Sequence, residues 1–281
     1  MPPSVALARA ASKLLLPRRE RERLSRLSFH DAGYGYDALG MSPDWIALGT
    51  GLFHFLYERY FRVESHNAHR IPQRGPAILA ANHSGMLPMD GTMLFMDVVR
   101  HTEPPRVPRP VGDLFIPLMP FFGTLMARSG VVSGTRGNVR HLLELGEMLM
   151  VFPEGTAGVG KPFRERYRLQ EWHVGHAELA IRHRVPIVPV GIVGAEEQWP
   201  QLARLDRVHL FGAPWLPIPA TPFPLPTHFH IHYGEPLPLY EGLRPEDADD
   251  PKVSARAAER VKRAVRSLLD EGLRTRPGVF K

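Results

Sequence analysis

Between residues 61 and 193, short apolar runs that close on glycine or proline alternate with longer segments of helical spacing, and this alternation restricts the chain more than any other feature. Each run reads as a buried strand, and each strand with the amphipathic segment after it reads as half of a strand–helix–strand unit. The spacing predicts strands over 77–81, 131–132, 148–152 and 187–193, and helices over 92–100, 135–145 and 170–183. The expected fold class is therefore α/β: a mostly parallel central sheet flanked by helices, in a single domain over 46–281. Residues 1–45 are expected to form a peripheral, basic N-terminal extension.

Polar residues gather where these strands end. The first run, AILAA, leads into Asn82 and His83, and a loop holding Gly85 and Pro88 carries the chain to Asp90. On one straight helix His83 and Asp90 would stand about 10 Å apart along the axis, too far for a hydrogen bond. Gly85 and Pro88 argue against that helix, so a folded loop is expected to close the gap. A carboxylate on one imidazole nitrogen leaves the other free to take a proton from an attacking hydroxyl. The same residues also suit a partly buried histidine bonded to backbone, with Asp90 as the N-cap of the helix from Gly91.

The run over 148–152 ends in Pro153-Glu154-Gly155-Thr156, and 131–132 is followed by Ser133-Gly134-Thr135-Arg136. Taken singly, Glu154 could be a turn carboxylate, and Ser133 or Thr135 an ordinary cap. Ligands of open parallel sheets bind at the carboxyl edge, which would bring these loops and His83 to one crevice. Free N–H groups at a helix start, with Arg136 in the first turn, make a phosphate site, and Lys161 and Arg164 would add positive charge.

The flanks are read more coarsely. Arg9, Lys13, Arg18, Arg19, Arg21, Arg23 and Arg26 suit either a basic helix on anionic headgroups or a solvated arm. Residues 45–61 have helical spacing in Ile46, Leu52, Phe53, Leu56, Tyr57 and Tyr60, with one face expected in the core. The apolar stretch 113–126, broken by Pro117, Pro120 and Gly123, reads as a buried helical connection, as the wall of an acyl-chain pocket or as a membrane-facing loop. Six prolines over 214–226 imply an irregular crossover, 229–233 a further strand, and 251–274 an amphipathic helix capped by Asp249 or Asp250.

A net charge of +6 implies anionic partners without choosing among them, and the absence of cysteine removes thiol catalysis and cysteine metal sites. Apolar runs are cut by charges or prolines before the ~18 residues of a membrane span, and no secretory signal is seen, so the expected location is cytoplasmic and peripheral to the membrane. Nucleic acid is not expected, because no aromatic-and-cation module appears.

Four blocks in order resemble the glycerolipid and lysophospholipid acyltransferases, the family of bacterial 1-acylglycerol-3-phosphate acyltransferase. They are Asn82-His83 with Asp90, Arg136 after Ser133-Gly134-Thr135, Phe152 to Thr156, and Val185 to Val190; Gly160-Lys161-Pro162-Phe163 looks similar too. The resemblance implies a lipid-metabolic O-acyltransferase of phospholipid biosynthesis, moving a fatty acyl group from acyl-CoA or acyl carrier protein to a glycerolipid acceptor. It implies His83 as general base, Asp90 as its orienting partner, Glu154, Gly155 and Thr156 in the acceptor site with Lys161 near, Arg136 as phosphate ligand, and Pro186 and Pro189 by the acyl donor. It implies no metal, no cofactor beyond the acyl donor, and no covalent intermediate. One departure stands out: six residues separate His83 from Asp90 where the family pattern has four, and the form HSGMLPMD looks like the branch related to neutral-glyceride acyltransferases. On the residues alone, a non-enzymatic basic lipid-binding module and a hydrolase remain alternatives.

Overall fold

The computed structural model describes residues 2–85, 88–116, 119–205 and 216–281. Its strands are β1 (Glu64–His66), β2 (Ala77–Ala81), β3 (Pro108–Gly112), β4 (Val132–Ser133), β5 (Met148–Val151), β6 (Ile187–Val193), β7 (Gln201–Leu205), β8 (Leu216–Pro219) and β9 (His230–Tyr233). The helices are α1 (Pro3–Leu15), α2 (Arg18–Leu24), α3 (Pro43–Phe55), α4 (Met89–His101), α5 (Phe122–Arg128), α6 (Arg136–Glu144), α7 (Thr156–Val159), α8 (Gly175–His183), α9 (Ala195–Gln198) and α10 (Pro251–Thr275).

Seven strands form one sheet in the order β1-β9-β6-β2-β5-β3-β4, and every pairing in it is parallel except β6 with β9. Strands β7 and β8 make a separate antiparallel pair. The central strands β2, β5 and β6 are buried along their whole length, as expected where helices cover both faces of a parallel sheet. On one face Ile78, Ala80, Leu149 and Val193 pack under α8 and α10; on the other Leu79, Ala81, Met150 and Ile192 pack under α4.

Most expected elements fall within a residue or three of their sequence reading. One exception is α8, which starts at Gly175 rather than 170, because Gln170 and His173 spend their N–H groups on Glu154 and Pro153 O. Another is β3, hidden in the sequence by Pro108 and Pro110; alternate prolines put both missing donors on one side of the strand and leave the other side to pair. The crossover over 214–226 lies partly outside the described residues, and its later part includes β8.

The N-terminal segment docks on the body. Val5 and Ala8 of α1 are buried, a Cβ at Gly51 of α3 would sit 2.7 Å from Leu15 Cβ, and Arg9 makes a two-pronged ion pair with Asp44. Arg23 donates to Val99 O and pairs with Glu20, so part of the basic run is engaged internally. In α3, which continues as one π-helical turn (Leu56–Tyr60), Ile46 and Tyr57 face inward, whereas Leu52, expected in the core, is 57% exposed. Among the described residues no helix is long and apolar enough to cross a membrane.

Candidate active site

Strand β2 delivers Asn82 and His83 to the carboxyl edge of the sheet. Asn82 is wholly buried and extends the ladder to β6, its amide donating to Ile192 O (3.0 Å) and accepting from Ile192 N (2.7 Å). This clamp fixes the chain immediately before the histidine. Gly85, at φ +85°, then turns the backbone, and Asp90 enters as the second residue of α4.

The turn closes the expected gap. His83 Nδ1 lies 2.7 Å from Asp90 Oδ2, and the same oxygen accepts from Ser84 N (2.8 Å), while Oδ1 accepts from Gly91 N (2.7 Å). Asp90 is fully buried at a helix start, where backbone N–H groups favour its charge. It thus serves both readings made from the sequence, imidazole partner and helix-start carboxylate. With Nδ1–H donating to Asp90, Nε2 carries the free lone pair.

The other walls of His83 come from the strand β5 turn. Phe152 stacks on the imidazole at 4.2 Å between centroids, and its own ring fits against Gly91, where a Cβ would lie 3.4 Å away. Glu154 is buried and uses its two oxygens on backbone: Oε1 accepts from His83 N (3.0 Å) and Oε2 from Gln170 N (2.7 Å). Gly155, at φ +53° and ψ −146°, turns the chain in a region open essentially to glycine alone. Thr156 opens α7, and Gly158 within it presses on His83 O and Cβ.

Lys161 is buried behind this turn, 2.9 Å from Glu196 Oε1 and 3.6 Å from Glu154 Oε2. Burial pushes Glu196 up to about 7, with Lys161 opposing. For His83, burial disfavours the imidazolium, but Asp90 and then Glu154 outweigh it, and the basicity is raised above that of a free histidine. An imidazole held by a carboxylate at one nitrogen is arranged to accept a proton at the other.

His83 opens on an apolar cavity of about 210 Å³. Trp45, Gly49 and Phe53 of α3 form one wall, Gly91 and Phe95 of α4 a second, and Ile116, Phe122 and Met126 a third. Of the readings offered by the stretch 113–126, a cavity wall describes Ile116, Phe122 and Met126, while Leu114 and Phe121 of the same stretch are 69% and 93% exposed. Pro117 lies outside the described residues.

Not every residue singled out in the sequence sits beside His83. Arg136 is exposed at the first turn of α6, which Thr135 caps by accepting from Asn138 N. It follows β4, three strand steps from β2, or about 14 Å. Pro186 precedes β6 and accepts from Ile78 N, which puts it at the opposite edge of the sheet, roughly 17 Å from His83. Pro189 is buried within β6 beside Ala80, and neither proline lines the cavity. Arg164 is exposed. The sequence reading placed Phe152 in a family block without giving it a role, and passed over Gly158, which packs on His83, and the α3 wall. The glycine-dense run 155–160 was the available signal for Gly158.

An acyltransferase family model matches residues 62–193, the segment that carries every residue of this site from His83 to Glu154. An uncharacterized protein of Mycobacterium tuberculosis is 35% identical over 260 residues, spanning 88% of this chain and 72% of the relative. The chain belongs to the acyltransferase family. This acyltransferase is also 28% identical over 220 residues to a Bos taurus protein named DGAT1/2-independent enzyme synthesizing storage lipids, across 74% of this chain and 59% of that one. Its fold matches the crystal structure of the 1-acyl-sn-glycerophosphate acyltransferase PlsC from Thermotoga maritima with a TM-score of 0.52 at 18% identity, covering 97% of this chain and 89% of that one.

Proposed function

We propose that this acyltransferase moves a fatty acyl group from acyl-CoA or acyl carrier protein to a hydroxyl of a glycerolipid or lysophospholipid such as 1-acylglycerol-3-phosphate, with His83 as general base. The observation that carries the reading is an imidazole held by Asp90 at Nδ1, with Nε2 open at an apolar cavity. The hydroxyl proton goes to Nε2, the oxygen attacks the thioester carbonyl, and the proton returns to the leaving thiolate as the tetrahedral intermediate collapses. Asp90 holds the tautomer and stabilises the imidazolium. Glu154 and Lys161 act through position, fixing the backbone of His83, while Gly155 and Thr156 shape the acceptor entrance.

The cavity suits the acyl chain, since each buried methylene contributes ~0.8 kcal/mol. Leu52, Phe55, Leu114 and Phe121 are exposed beside its walls, which supports a peripheral protein resting its apolar rim on a lipid surface. The acceptor has two readings. Arg136 favours a phosphate-bearing one. The six-residue spacing between His83 and Asp90, with the storage-lipid name of the bovine relative, favours a mono- or diacylglycerol. Offering lysophosphatidic acid and monoacylglycerol together with acyl-CoA separates them. Loss of lysophosphatidic acid acylation on Arg136→Ala, by about 10-fold or more in KM, supports the phosphate site. A preference for monoacylglycerol that ignores Arg136→Ala assigns the neutral acceptor, and no acyl transfer to either refutes the proposal.

A further inference from the structure

On the other face of the sheet from His83, β1 and β9 bring four histidines and a glutamate together. Their parallel register pairs Glu64 with His230 and His66 with His232, and alternation sends all four to the side covered by α10, while Ile231 and Tyr233 join the core under α4. His228 precedes β9 and joins the same group, its ring 4.4 Å from that of His230. His66 stacks on His232 at 4.1 Å. This concentration of imidazoles has no part in acyl transfer.

The geometry of their lone pairs is informative. His228 Nδ1 donates to Lys281 O, which can only accept, so Nε2 is the ring nitrogen left facing Glu64. That Nε2 has no hydrogen-bond partner, belongs to a residue only 8% exposed, and sits 3.4 Å from the Glu64 carboxylate oxygen Oε1. Glu64 Oε2 is 3.4 Å from His230 Nδ1, and His66 Nε2 is 3.3 Å from the same nitrogen. A cation placed between the imidazole nitrogen and the carboxylate would satisfy both. Tetrahedral ligands at about 2.0–2.1 Å from zinc stand roughly 3.3 Å apart, close to the 3.4 Å that separates the Glu64 carboxylate from His228 Nε2 and from His230 Nδ1. The donor atoms of Glu64, His228 and His230 all lie within 4.8 Å of one another.

We propose that Glu64, His228 and His230 bind a divalent transition-metal ion of the zinc class. The ion joins β1, β9 and the segment after α10, which already meets this site through His228 N bonded to Val279 O. His228 has the arrangement of a metal-bound imidazole, one nitrogen toward the ion and the other N–H on a carbonyl. The nearby Arg276 is neutralised by a two-pronged pair with Glu197. Imidazole with carboxylate suits zinc, nickel and cobalt rather than magnesium or calcium.

The test uses the tag-free full chain, stripped with chelator and titrated with zinc chloride in a calorimeter at pH 7.5, then with cobalt chloride in a spectrophotometer. Expected are one zinc per chain with Kd below about 1 µM, tetrahedral cobalt bands in the visible, and a melting temperature that rises with zinc. Glu64→Gln, at an exposed position, keeps the fold and weakens binding at least ~10-fold, while His83→Ala binds like the parent. His228→Gln and His230→Gln remove binding, their fold checked by circular dichroism. Folded protein that takes up no zinc overturns the proposal and leaves His228 as an imidazolium paired with Glu64. A zinc affinity unchanged by Glu64→Gln also overturns it.

Discussion

Replacing Gly158 by alanine tests how tightly the scaffold holds the reacting imidazole without touching any polar group. A Cβ there would lie 2.8 Å from His83 O, 2.9 Å from His83 Cβ and 3.0 Å from Glu154 Cβ. Comfortable carbon contacts begin near 3.5 Å, so the turn and the end of β2 must separate by about 0.5 Å or more. The strand cannot yield freely, because Asn82 is clamped to Ile192 and Glu154 holds His83 N. Overpacking of this kind costs ~1–3 kcal/mol of stability, and a misplacement approaching 1 Å costs up to ~10²-fold in rate. The expected result is a folded protein whose kcat falls ~10- to 100-fold, measured by acyl-CoA turnover, with KM for acyl-CoA changed less because the cavity walls are untouched. Wild-type turnover in a Gly158→Ala protein of unchanged melting temperature would refute this account of how His83 is positioned.

Other perturbations probe separate parts of the account. Gly49 faces the cavity with nothing within 4 Å of its missing Cβ, so Gly49→Leu should fold at least as well as the parent, gaining up to ~1 kcal/mol of helix propensity. It should discriminate against long acyl chains by ~50-fold if three methylenes are displaced, read from a chain-length series of acyl-CoA substrates; an unchanged chain-length profile would remove the cavity from the acyl path. Turnover should fall as pH drops through the raised pKa of His83, when the base is protonated; Asp90→Asn should lower the plateau ~10²- to 10⁴-fold and move that limb to lower pH, since Asp90 raises the pKa. A limb that stays in place would separate Asp90 from the base. Burial pushes His176 down to about 4, so the unfolded chain binds more protons below its ordinary 6.5, and stability should fall by about 3 kcal/mol as pH drops from 6.5 to 4. His176→Phe should flatten part of that slope in thermal melts.

The catalytic pair and the strand carrying it were legible because both are local: an apolar run, a histidine, a glycine turn and a carboxylate within fourteen residues. Glu154 was legible as a residue type but not in its contacts, since its partners His83 N and Gln170 N come from segments the sequence separates. The cavity was only half visible. Ile116 and Met126 lie in a conspicuous apolar stretch, whereas Gly49 and Phe53 read as an ordinary core helix until α3 is seen to face α4. Strand β3 escaped because its prolines silence the usual pattern. Spacing could not place Pro186, because a strand's direction relative to its neighbours is a property of the whole sheet.

The central claim is that an imidazole at position 83 takes the acceptor's proton. It is tested by measuring acyl transfer from acyl-CoA with purified His83→Ala, its fold confirmed by circular dichroism and thermal melting, against the parent protein under saturating acceptor. The account expects product formation to fall by at least ~10² and up to ~10⁴-fold, with acyl-CoA still bound, because no second base reaches the cavity among the described residues. Transfer at the parental rate by folded His83→Ala would contradict it.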